Sequence, residues 1–93
     1  MDKTIYSAEY AALLRVLKRT RAGSGITQTE LAEQLGMTQS AYSKLERGEL
    51  RIDVIQLRII ATKIGVSLVD FVGDLETEIG KREPRRRKSS RRK

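Results

Sequence analysis

The chain has no cysteine, no histidine and no tryptophan, a single proline among 93 residues, and only 4% aromatic side chains. Without cysteine there is no disulfide framework, thiol nucleophile or thiolate metal site, and without histidine imidazole acid–base chemistry and most zinc sites are excluded. No run approaches the roughly 18 apolar residues of a membrane span, so no membrane partner is expected. Met1-Asp2-Lys3-Thr4 lacks the basic-then-apolar layout of a secretory signal, which predicts a cytoplasmic protein. The carboxylates form no pair in an apolar setting, and no metal cluster or phosphate-cradling glycine loop accompanies them. The sequence therefore predicts no enzyme, no cofactor and no metal.

What is abundant is charge. Lys and Arg number 19 against 12 Asp and Glu, a net charge of +7, and charged residues make up 33% of the chain. The excess is local: residues 81–93 carry nine Lys/Arg and one Glu, or +8, which leaves residues 1–80 at −1. A weakly acidic domain with a basic tail follows, and a polyanion is the partner that the tail suggests. Any nucleic-acid role for the domain itself must then rest on where particular residues stand. The length suits one compact domain over residues 1–80. Beyond Glu83-Pro84 the tail has no apolar residue to bury, so it is expected to be disordered when free.

Apolar residues recur at helical spacing in five successive segments, and no alternating run suggests a strand, so the expected class is all-α. In the first segment, about Ala8 to Arg21, Tyr10, Leu13, Leu14 and Leu17 share a face, Ser7 is available as N-cap, and Gly23 and Gly25 end the run. The other four begin alike, with an apolar residue, a capping residue and a second apolar residue four positions after the cap. The frame reads Ile26-Thr27 with Leu31, Met37-Thr38 with Tyr42, Ile52-Asp53 with Leu57, and Val66-Ser67 with Phe71. Thr27 with Glu30 makes a full capping box, and Ile26 against Leu31 a hydrophobic staple. Gly36, Gly48 and Gly65 sit where a left-handed residue closes a helix. The expected helices are thus 28–35, 39–47, 54–64 and 68–79.

Residues 28–47 have the layout of a helix-turn-helix. Ala32 carries only a methyl where the two helices cross, Gly36 permits the reversal, and Leu31, Leu35, Tyr42 and Leu45 hold the second helix against the domain. The run Gly25-Ile26-Thr27-Gln28-Thr29-Glu30-Leu31-Ala32-Glu33-Gln34-Leu35-Gly36-Met37-Thr38-Gln39-Ser40-Ala41-Tyr42-Ser43-Lys44-Leu45-Glu46-Arg47-Gly48 resembles the phage-repressor/Cro-type (Xre-type) DNA-binding family, over roughly residues 10–72. The resemblance implies a five-helix, phage-repressor-like domain that binds operator DNA, usually as a homodimer, and regulates transcription. Tyr42 departs from the β-branched aliphatic residue often found there; its ring can fill the core, but its hydroxyl must reach solvent or a partner.

A helix lying in the major groove offers its N-terminal residues to base edges, which nominates Gln39, Ser40, Ser43 and Lys44. Gln39 suits adenine and Lys44 suits guanine, each good pair discriminating by ~1–3 kcal/mol. The resemblance assigns base reading to the positions of Gln39, Ser40 and Lys44. At the start of the second helix free amides and the positive dipole end suit a phosphate, with Thr27 and Gln28 beside it; the resemblance gives the position of Gln28 this role. Thr38, Arg47 and Arg51 complete the expected phosphate contacts. Arg21 and Glu46 match positions that form an ion pair between the first and third helices in related domains. On the fifth helix Leu68, Val72, Leu75 and Ile79 form a stripe, of which Val72, Leu75 and Ile79 are candidates for a dimer contact or a cover for the core. Asp70, Asp74, Glu76 and Glu78 are expected to make its other surfaces acidic and to face away from DNA.

The leading expectation is a sequence-specific transcriptional regulator, repressor or activator, that inserts helix 39–47 into the major groove of a double-stranded operator. The alternative is an interaction adaptor or antitoxin-like scaffold whose basic tail binds nucleic acid without sequence preference.

Overall fold

The computed structural model describes residues 7–82, Arg82 by its backbone alone. Five helices follow one another: α1 Ala8–Gly23, α2 Gln28–Leu35, α3 Gln39–Glu46, α4 Val54–Ile64 and α5 Leu68–Arg82. Among the described residues there is no strand.

Each helix starts where a side chain replaces a missing backbone partner. Ser7 Oγ accepts from the Tyr10 amide at 3.1 Å, Thr38 Oγ1 from Ala41 at 3.0 Å, and Ser67 Oγ from Asp70 at 3.0 Å. Thr27 and Glu30 form a reciprocal box, each satisfying the other's amide at 3.0 Å, and Asp53 and Gln56 form another. Such caps stabilise a helix by about 1 kcal/mol each and fix its first residue. The turn between α2 and α3 closes through Gly36, whose φ of 72° places it in the left-handed region. The Met37 amide then reaches back to the Ala32 carbonyl at 2.9 Å, closing a Schellman turn that starts α3 two residues later.

The ends differ from the sequence expectation by a residue or a turn. α1 runs through Gly23, because the left-handed residue is Gly25, with φ 77°. α3 stops at Glu46 with Arg47 as its cap. α5 continues past Ile79 to Arg82, so the first two residues of the basic segment are helical. Its last turns stay formed against α1, where Glu78 and Ile79 find partners.

Helix α5 packs on α1, α2 on both α3 and α4, and α4 on α5. Val16 and Leu17 of α1, Leu31 of α2, Tyr42 of α3, Ile60 of α4 and Phe71 of α5 are almost fully buried and meet in one cluster. Burial of each such side chain contributes ~1.5–3 kcal/mol. Three of the eight residues of α3, Tyr42, Leu45 and Glu46, are spent on this packing. The opposite side of the helix is thereby held outward.

Candidate nucleic-acid interface

The outward side of α3 carries the residues nominated for base contact. Gln39, Ser40 and Lys44 are exposed and Ser43 is half-buried. Gln39 and Ser40 occupy the first turn, and Ser43 and Lys44 follow one turn on, as the 3.6-residue repeat requires. Arg47, just past the helix, donates through Nη1 to Ser43 Oγ at 2.6 Å and through Nε to Glu49 Oε2 at 2.8 Å. The Ser43 hydroxyl proton is left over for a further acceptor.

Beside α3 stands the start of α2. Thr27 and Glu30 satisfy one another, so the Gln28 and Thr29 amides are the ones left pointing out along the axis. The Thr27 and Thr38 hydroxyls each accept a capping bond and so retain a proton to donate. The two helix starts are joined directly, Gln39 Nε2 donating to Gln28 Oε1 at 2.8 Å, and Lys44 and Arg47 follow along α3 and its cap. Arg51 lies on a different neighbour: its guanidinium stacks over the Tyr10 ring, 4.5 Å from the centroid.

Behind this surface is a buried polar cluster centred on Glu46. Arg21 reaches it from α1 through Nε to Oε2 at 2.6 Å and Nη2 to Oε1 at 3.2 Å, with the two side chains 15% and 2% exposed. The remaining Arg21 Nη1 donates to the Ile26 carbonyl at 2.9 Å, tying the α1–α2 connection to the same group. The Tyr42 hydroxyl finds its partner here, donating to Glu46 Oε2 at 2.7 Å, and the Gln28 amide donates to Oε1 at 2.8 Å. Burial alone would raise the Glu46 carboxyl, but the hydrogen bonds from Arg21, Tyr42 and Gln28 outweigh it and hold the group below its ordinary value. The Tyr42 phenol is pushed well up, by burial first and by the Glu46 carboxylate second. The hydrogen bond to Glu46 raises the Arg21 guanidinium.

Sequence reasoning did not reach the link between this cluster and the surface. Gln28 faces inward to Glu46 through its nitrogen and sideways to Gln39 through its oxygen, which accepts from Gln39 Nε2 at 2.8 Å. The nearest signal in the sequence is that Gln28 and Gln39 each open a helix on either side of one tight turn. Glu78 is a correction. Expected on an acidic outer surface, it is buried against α1, bonded to Arg15 Nε at 2.8 Å and Arg19 Nη1 at 3.1 Å. Those bonds hold its carboxyl down at about 2, the Arg15 bond contributing most. Asp70, Asp74 and Glu76 are exposed.

Of the α5 stripe, Val72 is exposed, while Leu75 and Ile79 are half-buried and line a groove with Tyr10 and Leu13 of α1. More open aliphatic surface lies on α4, where Val54 and Ile55 are 62% and 63% exposed and Ile59 is exposed beside them. Among the described residues no group of three or more acidic side chains is placed to hold a metal, and no helix is long and apolar enough to cross a membrane. The basic segment beyond Arg82 lies outside the described residues.

Two short helices joined at a left-handed glycine, the second with a buried face and an open polar one, define a helix-turn-helix within a five-helix bundle. A helix-turn-helix family model matches residues 17–71, and the chain belongs to that family, in its XRE branch. A solved XRE-family-like protein from Pseudomonas syringae pv. tomato superposes with a TM-score of 0.72 at 43% identity, over 80% of this chain and 90% of that one. An uncharacterized HTH-type transcriptional regulator of Sinorhizobium fredii is 40% identical over 65 residues, 69% of this chain and 84% of the relative. Control protein C.MunI of a Mycoplasma species is 23% identical over 64 residues, 69% of this chain and 86% of the relative.

Proposed function

We propose that this DNA-binding helix-turn-helix regulator acts by laying α3 in the major groove of a specific duplex site, with Gln39, Ser40, Ser43 and Lys44 on base edges. The observation that carries this reading is that α3 buries Tyr42, Leu45 and Glu46 and leaves Gln39, Ser40 and Lys44 exposed, with Ser43 half-buried beside them. A groove about 12 Å wide admits such a helix, and its first turn meets the bases. Phosphates on one side would lie at the α2 start, against the Gln28 and Thr29 amides and the Thr27 hydroxyl. Thr38, Arg47 and Arg51 would hold the backbone near α3, Arg47 exchanging Glu49 for a phosphate oxygen.

Two copies are proposed to act together, drawing their contact from the exposed aliphatic side chains of α4 and α5, Val72 included. Their half-sites would then lie about 34–36 Å apart or a multiple of that. Regulation would follow from occupying an operator and excluding or recruiting polymerase.

The test is selection from a randomised duplex with the purified chain, repeated with Gln39→Ala and Lys44→Ala. Each variant is expected to flatten preference at its own base position by ~1–3 kcal/mol and to leave the others in place. A preference unchanged in both variants would remove α3 as the reading element. Binding without any sequence preference, abolished by deleting residues 81–93, would favour the adaptor reading.

A further inference from the structure

We infer that the buried Glu46 carboxylate sets which base Gln39 accepts, by fixing the direction of both glutamine amides in the relay Glu46–Gln28–Gln39. The inference rests on the proposed base contact of Gln39 and adds to it a positioning residue buried beneath the interface.

The logic is one of donors and acceptors. A carboxylate only accepts, and the Glu46 oxygens already take two bonds from Arg21 and one from Tyr42. The atom that Gln28 turns toward it at 2.8 Å must therefore be the donor Nε2. The amide oxygen of Gln28 is then the end that faces Gln39, and an oxygen requires a donor opposite, which is Gln39 Nε2 at 2.8 Å. One N–H and the oxygen of Gln39 remain for the groove. That pair matches the N7 acceptor and N6 donor of adenine, whereas guanine offers two acceptors, N7 and O6, and would set its O6 against the glutamine oxygen.

Tyr42 belongs to the same device. Its hydroxyl occupies a carboxylate lone pair and, with Arg21, keeps Glu46 ionised, as the lowered carboxyl and raised phenol require. An uncharged group at position 46 would offer either a donor or an acceptor, and the relay would lose its direction.

Two substitutions test the relay, Glu46→Gln at its buried end and Gln28→Lys at its middle. In Glu46→Gln, the amide can present either end to Gln28, so the adenine preference at the Gln39 position is expected to fall by about fivefold or more, with preference elsewhere unchanged. In Gln28→Lys, the new ammonium donates both to Glu46 and to Gln39. It forces the Gln39 oxygen inward and its two N–H groups outward, so preference at that position is expected to move from adenine toward guanine. The experiment is randomised-duplex selection with the full chain and each variant, with a thermal melt of each. The Gln39 position is identified as the one flattened in Gln39→Ala.

An undiminished adenine preference in a folded Glu46→Gln, or in Gln28→Lys, overturns the relay. Should Glu46→Gln fail to fold, an undiminished adenine preference in Gln28→Lys still overturns the relay, since that substitution lies at the half-exposed start of α2. A wild-type chain that prefers guanine at the Gln39 position also overturns it. A wild-type chain with no preference at any position sinks the base-reading proposal instead, a result distinct from the loss of direction.

Discussion

Glu46 is the residue on which the candidate interface and the core meet. Its ion pair with Arg21 is largely withdrawn from water, so the small contribution typical of exposed pairs does not apply. Removing one partner of a buried pair strands the other, at a cost of ~3–5 kcal/mol. Arg21→Met should lower stability by that amount in denaturant unfolding; a loss under about 1 kcal/mol, the range of surface pairs, would show that the pair is solvated after all. Tyr42→Phe removes a single bond to a charged group and should cost about 1.5–3 kcal/mol in the same measurement. That Tyr42 must find a partner was legible from its hydroxyl at an apolar position. That the partner would be Glu46, one turn on, depends on how closely α3 is pressed against Arg21, and spacing alone does not give that.

At the scale of the elements, the starts were legible because each is written locally, in a cap three residues before the amide it satisfies. The stops were less so. Gly23 sits inside α1, and only the position of the left-handed residue, Gly25, tells the two glycines apart. Gly36 has open space around the site of a Cβ, so the cost of a side chain there is backbone conformation alone. Gly36→Ala is accordingly expected to destabilise the domain by ~1–2 kcal/mol in thermal or denaturant unfolding, and an unchanged midpoint would contradict this.

The packing of α5 is the least legible element. A carboxylate four residues from Asp74 reads as solvent-facing until α5 is known to press its far end on Arg15 and Arg19. The folded Glu78 carboxyl titrates at about 2 against an ordinary value of 4.5. Its contribution is therefore complete above the ordinary value and is lost as pH falls through that interval. Wild-type stability should drop more steeply than that of Glu78→Gln between pH 4.5 and 2, followed by circular dichroism; parallel profiles would contradict the ion pairs.

For the whole molecule, one helix-turn-helix frame carries both the fold and the candidate interface, so the same twenty residues bear on both. The open face of α3 followed from its buried face, since a helix that spends three positions on the core has its others left for solvent. The relay through Gln28 did not follow, because it joins side chains of α2 and α3 that share no periodicity. The net charge of +7 is a property of the tail, and the domain is almost neutral. Deleting residues 81–93 should weaken binding to every duplex alike, lower the salt slope by ~0.9 for each phosphate the tail had neutralised, and keep the order of preferred sites. A changed order of sites would move recognition into the tail.

The most direct measurement is an amide chemical-shift map of the labelled chain with and without a duplex carrying its selected site. The largest shifts should fall at residues 27–29 and 38–47, with residues 70–78 little changed. Shifts confined to α5 or to residues 81–93, with α3 silent, would contradict the placement of the reading face.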